Sequence, residues 1–192
     1  DSVYLPFTER TVGYVPAEGA AVAFVEDHDL ARSRGARVRA VVAGHASTFG
    51  SVGGYDPGGE GLLHAARGAM HRAGVTPDQV DVVFADALGM PKADADEAAA
   101  LRRLFPDGVA VTAPKTGFGR AHAGAGALDV AAAVLSLEHQ VIPPTPRVPD
   151  PPAGLDLVVR VARPAPLRTA LVLSRGMGGG ASAVVLTSPH HV

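Results

Sequence analysis

Ala113-Pro114-Lys115-Thr116-Gly117-Phe118-Gly119-Arg120 stands between a short apolar run, Val109–Ala113, and the longest helix pattern of the chain, Ala121–His139. The apolar run reads as a strand. After His122, that helix carries only Asp129, Ser136, Glu138 and His139 as strongly polar residues. A helix that is apolar nearly all round belongs between layers and not on a surface. The pattern therefore predicts a layered fold with this helix covered on both sides. Charged residues beside such a helix are costly unless they are paired or line a cleft. Lys115 is one of only two lysines in the chain, and Arg120 follows it closely. A strand-to-helix junction is also where α/β proteins place ligand sites. Two readings are open here: a functional site, or a Lys/Arg pair that holds the loop.

Outward from this junction, strand and helix patterns alternate. Gly19–Asp27 is an almost continuous apolar run and reads as a buried strand. Asp29–Arg37 reads as a short helix and Val38–His45 as a strand. A Gly-rich loop, Ser51–Gly59, precedes a helix over Glu60–Ala73, with Leu62, Ala66, Ala69, Met70 and Ala73 on one stripe and Gly74 at its end. Val80–Ala85 is a strand. Asp94, Asp96 and Glu97 then load the first turn of a helix reaching Phe105, where carboxylates complement the helix dipole. Val141–Gly154 is a Pro-rich extended connection. Leu155–Ala162, Thr169–Ser174 and Ala181–Thr187 read as closing strands, the last two antiparallel around Gly176–Gly180. The class is α/β.

The composition narrows function. The chain has 192 residues, 47% hydrophobic and 19% charged, which excludes a disordered or fibrous chain. It has no cysteine, so it supplies no disulfide, thiolate metal site or cysteine nucleophile. A net charge of −2 argues against nucleic acid or an anionic membrane as partner. No apolar run reaches the roughly 18 residues of a membrane span. Asp1 to Arg10 carry no basic, apolar leader, and a cytoplasmic chain is the expectation.

Three further motifs have plainer readings. Gly176-Met177-Gly178-Gly179-Gly180 lacks the lysine and Ser/Thr of a phosphate loop and reads as a tight turn. His64 and His71 lie two helical turns apart with no third ligand, and read as surface residues; His190 and His191 lie in the tail. Asp94-Ala95-Asp96-Glu97 lacks the spacing of a calcium loop and reads as a helix start.

The junction also resembles a known family. Pro114-Lys115-Thr116-Gly117-Phe118-Gly119-Arg120, then Gly124-Ala125-Gly126 and Val141-Ile142-Pro143-Pro144-Thr145, is similar to the C-terminal half of β-ketoacyl synthases. Gly13-Tyr14-Val15-Pro16-Ala17-Glu18-Gly19-Ala20, the series Gly89, Pro91, Asp94 and Glu97, and Arg175-Gly176-Met177-Gly178-Gly179 match further landmarks in order. The family uses a cysteine and two histidines. Asp86 stands at the first histidine's position here and Arg120 at the second, with His122 two residues on. An aspartate opposes a developing enolate, and an arginine cannot shuttle a proton near neutral pH. These two residues, with Tyr4-Leu5-Pro6-Phe7, resemble the chain length factor of type II polyketide synthases, the catalytically silent β subunit.

The resemblance implies a thiolase-like fold of α-β-α-β-α layers built from two similar halves. It implies that residues 1–50 end the first half, that 51–188 form the second, and that 189–192 are a tail. It also implies that Asp86, Lys115 and Arg120 are degenerate active-site positions. No cofactor binds directly; the growing chain rides on the phosphopantetheine of an acyl carrier protein. The expected partners are a ketosynthase α subunit, that carrier protein and a complementary N-terminal fragment. The competing reading is half of an active β-ketoacyl synthase or acyltransferase, completed by a separate fragment.

Overall fold

The structure is a computed structural model that describes residues 4–50, 56–149, 153–176 and 178–189. In chain order, α1 (His28–Ser33) and β1 (Val41–Phe49) lead to α2 (Glu60–Ala73), β2 (Val82–Phe84), α3 (Pro91–Leu104) and β3 (Ala110–Thr112). Then come α4 (Ala125–His139), β4 (Val141–Ile142), β5 (Asp156–Leu157), β6 (Arg163–Pro164), β7 (Thr169–Arg175) and β8 (Gly180–Thr187). Six strands form one mixed sheet in the order β1-β8-β7-β2-β3-β5, and β4 and β6 make a separate ribbon. β7, β2, β3 and β5 run parallel, while β8 is antiparallel to both β7 and β1.

Each face of the sheet has its own core. Leu62, Leu63, Ala66, Ala69 and Met70 of α2 and Leu101 and Leu104 of α3 pack on Val83, Val111, Leu171, Leu173, Ala183 and Val185. On the opposite face, Ala133 and Leu137 of α4 meet Val82, Phe84, Ala170, Val172 and Leu186. The residues of β7 and β2 alternate between these two cores, which is why both strands read as unbroken apolar runs. Gly44 lets α2 lie flat on β1: a Cβ there would stand 2.3 Å from Ala69 O. Gly74 ends α2 in the left-handed region at φ 65°.

Three expectations change. Gly19–Asp27 forms no strand before α1, and its apolar side chains are exposed, Phe24 by 97%. A run apolar on both faces needs packing layers over both, and no described strand pairs with it. The α4 helix buries only Ala125, Asp129, Ala133, Ser136 and Leu137, and Leu135 on its other side is exposed. The described residues form one six-stranded sheet and a two-stranded ribbon, and one side of this helix meets no second layer among them. The strand read at Val38–His45 runs instead over Val41–Phe49 and pairs with β8, so it shares a sheet with β2, β3, β5, β7 and β8, all of which follow residue 50. Residues 51–55, Met177, His190 and His191 lie outside the described residues.

Candidate functional site

Asp86 sits just past the end of β2, beside the ends of β3 and β7, its parallel neighbours. It is 1% exposed. Its backbone N–H donates to Glu97 Oε1 at 2.8 Å, and that of Ala87 donates to Glu97 Oε2 at 2.9 Å. Glu97 and Asp94 lie three residues apart on α3 and so share one face. Asp94 accepts from Gly89 N at 2.9 Å and from Phe7 N at 3.1 Å, tying the first described segment to this helix. These two carboxylates therefore hold loops inside the protein. Of the acidic trio, only Asp96 behaves as a surface residue, pairing with Lys92 at 3.0 Å.

Two arginines close on Asp86. Arg120 Nη2 donates to Asp86 Oδ1 at 2.8 Å, and its Nη1 donates to Asp86 O at 2.9 Å. Arg120 is fixed by its backbone: its N–H donates to Val15 O at 2.8 Å and its carbonyl accepts from Ala17 N at 3.0 Å. Gly119 makes this approach possible. Its φ is +103°, and a Cβ would lie 2.8 Å from Val15 O. From β7, Arg175 donates through Nε to Asp86 Oδ2 at 3.1 Å, through Nη2 to Glu97 Oε2 at 2.8 Å and through Nη1 to Ala93 O at 3.0 Å.

Lys115 is almost wholly buried in the turn Pro114–Gly117. It forms an ion pair with buried Asp129 of α4 and donates to Asp86 O at 3.2 Å. Tyr4, also buried, donates its hydroxyl to Ala87 O at 2.8 Å.

Burial and charge oppose each other here. Burial pushes the Asp86 carboxyl up, but Arg120, Arg175 and Lys115 outweigh it and hold it below the usual carboxylate range. Burial wins at Glu97, which is raised with help from the Asp86 charge and against that of Arg175. Burial likewise raises Asp129 despite Lys115. Burial, then the charge of Glu97, pushes Asp94 up to about 7. Burial disfavours the charged Arg120, yet Asp86 keeps its pKa above the ordinary arginine value.

The chemistry that follows is restrictive. Asp86 stays ionised and Arg120 stays protonated near neutral pH, so neither passes a proton. Their charges are bound to each other. The structure therefore brings Asp86, Lys115 and Arg120 together. It also adds Arg175 and Glu97, which sequence reasoning left outside the site. The available signal was an arginine closing an otherwise apolar strand, Thr169–Arg175. His122 stands apart: it is exposed, with φ 46°, and its ring meets Tyr14 edge-on at 5.5 Å. His64 lies on the surface beside Glu60 at 3.9 Å. Among the described residues no cluster of His, Cys, Asp or Glu could hold a metal ion.

A family model described as the beta-ketoacyl synthase C-terminal domain matches residues 39–148, more than half of the chain. The chain belongs to the β-ketoacyl synthase family. Its match begins before β1, in keeping with that strand's place in the sheet. A putative polyketide beta-ketoacyl synthase 2 of Streptomyces coelicolor is 57% identical over 189 residues, covering 97% of this chain and 45% of the relative. The tetracenomycin polyketide synthase ketoacyl synthase beta subunit of Streptomyces glaucescens is 50% identical, covering 95% of this chain and 46% of that protein. The chain spans about half the length of the curated relatives it matches.

Solved structures agree. The ishigamide ketosynthase/chain length factor superposes with a TM-score of 0.92 at 29% identity, over 98% of this chain and 47% of that one. A type II polyketide synthase acyl carrier protein in complex with its ketosynthase bound to the hexaketide gives 0.88 at 27% identity, over 97% and 48%. The fold is that of the thiolase-like ketosynthases. Among the described residues no helix is long and apolar enough to cross a membrane.

Proposed function

We propose that this chain is the C-terminal portion of a chain length factor, the silent partner of a ketosynthase α subunit in type II polyketide synthesis. It helps shape the pocket in which a poly-β-ketone grows, with the chain carried on the phosphopantetheine of an acyl carrier protein in the cytoplasm. A complementary N-terminal portion completes the fold. It covers the exposed run 19–27 and the open side of α4, and carries the nucleophile position of the family.

One observation carries the silent reading: Asp86 and Arg120, at the positions of two histidines, form a buried ion pair of 2.8 Å. A fixed carboxylate repels an enolate, and a fixed guanidinium offers no base. The active-synthase reading lacks any titratable pair in this place. The beta-subunit relative and the ketosynthase/chain length factor structure also support the silent reading.

The test uses the full-length protein with a ketosynthase α subunit whose own nucleophile and two histidines have been replaced. No condensation and no malonyl decarboxylation are expected from that pair. Asp86→His with Arg120→His is expected to restore measurable decarboxylation. Activity in the unmodified pair, lost in Arg120→Ala without loss of folding, would overturn the reading.

A further inference from the structure

Three serines stand side by side across the sheet. Ser47 of β1 is the cross-strand partner of Ser182 on β8, and Ser182 is in turn the partner of Ser174 on β7. Directly opposed residues present their side chains on one face, and all three serines line one cleft of about 640 Å³. Thr48, next to Ser47, turns to the other face and donates to Gly61 O at 2.9 Å, as strand alternation requires. Among the described residues none of the three serine hydroxyls has a hydrogen-bond partner.

The remaining walls fix what such a cleft can take. Arg120 and Arg175 border it, but their guanidinium groups are bound to Asp86 and Glu97. The positive charge is compensated, so the cleft is no trap for an anion. Phe49 gives it an apolar side. What it offers is a line of uncharged donors beside an apolar wall. That suits a neutral chain with evenly spaced carbonyl oxygens.

The spacing fits as well. Neighbouring strands lie about 4.8 Å apart. In an extended chain with a carbonyl on every second carbon, two C–C bonds separate successive carbonyl carbons by about 2.5 Å along the axis. Alternate carbonyls then recur at about 5 Å, close to the strand spacing.

We propose that Ser47, Ser182 and Ser174 form a hydrogen-bonding strip for alternate carbonyl oxygens of a neutral poly-β-ketone, and that this strip positions the growing chain. The proposal rests on the functional reading above. No bond forms or breaks at the strip; the serines act on chain placement.

The experiment uses the full-length protein in complex with its ketosynthase α subunit. Products of the triple variant Ser47→Ala, Ser174→Ala, Ser182→Ala are sized by mass spectrometry. The fraction of full-length product should fall at least roughly tenfold, since each of the three neutral hydrogen bonds contributes about 0.5–1.5 kcal/mol. Complex yield and melting temperature should stay unchanged. Threonine at the same three positions keeps the hydroxyls and should restore the product pattern.

An unchanged length distribution in the alanine variant overturns the strip. So does lower complex yield with unchanged product lengths, which would mean that the serines seat another part of the protein. A raised KM for the carrier protein alone also overturns it, by assigning the hydroxyls to the phosphopantetheine amides. A wild-type pair that forms no complex or makes no polyketide overturns the functional reading, and the strip with it.

Discussion

Arg175 holds Asp86 twice: its backbone N–H donates to Oδ1 at 3.1 Å, and its Nε donates to Oδ2 at 3.1 Å. The same guanidinium reaches Glu97 at 2.8 Å, so one cation joins two buried carboxylates from different elements. The ends of β2 and β7 and the start of α3 are thereby held as one unit. Replacing Arg175 by methionine leaves both carboxylates short of a partner. Such losses cost about 3–5 kcal/mol. Urea unfolding of the full-length complex should show that loss, and a change below about 1 kcal/mol would contradict the account.

Asp94 sets a pH dependence. Its folded pKa, about 7, lies above the ordinary aspartate value of 3.8. A raised carboxyl favours the protonated, folded form, so its contribution is complete below about pH 4 and is lost as pH rises through 7. The span corresponds to about 4 kcal/mol at most. Asp86, held low, acts in the opposite sense and costs stability on the acid side. Denaturant midpoints between pH 5 and pH 8, on the order of the range set by these groups, should fall less steeply in Asp94→Asn than in the native protein. Equal slopes would rule Asp94 out as a source.

Gly44 tests the packing of α2 on β1. A methyl group there meets Ala69 O at 2.3 Å and Ala73 N at 2.7 Å, both backbone atoms that move only with the helix. Overpacking of this kind costs about 1–3 kcal/mol or more. Gly44→Ala should lower the melting temperature by several degrees, while Gly50→Ala, with open space around its Cβ, should not.

The apolar run before α1 makes a fourth prediction. Val22 is 88% exposed and Phe24 97% exposed in this chain. Amide hydrogens of residues 20–26 should exchange rapidly when the chain is studied by itself. They should gain protection when the preceding part of the protein is supplied, because that part is proposed to carry the strands that pair with this run. Equal exchange in both states would remove the case for a complementary sheet.

Much of the fold was legible. The α2 stripe from Leu62 to Ala73 and its glycine stop are read directly from spacing, because a helix with one buried face repeats every three to four residues. The closing hairpin of β7 and β8 follows from two apolar runs around glycines. Pairing of β1 with β8 was not legible: the two are joined by residues 50–179 of the chain, and register between distant strands leaves no local mark. The burial of Asp94 and Glu97 was also hidden. Their positions at a helix start had a sufficient local explanation, and only the approach of β7 with Arg175 makes them a core feature.

The sequence by itself determined which chemistry is missing. On the proposed reading Asp86 and Arg120 occupy positions where the resembled family has titratable histidines, and side-chain identity alone removes the proton shuttle. Only the tertiary structure decided what these residues do in place of it. Charges from the loop after β2, α3, the segment before α4, α4 and β7 are scattered over residues 86–175 of the chain. They become one compensated cluster because the parallel strands end together. Excluding water there makes each unpaired charge too costly to leave, and that cost is a property of the packed interior and not of any local stretch.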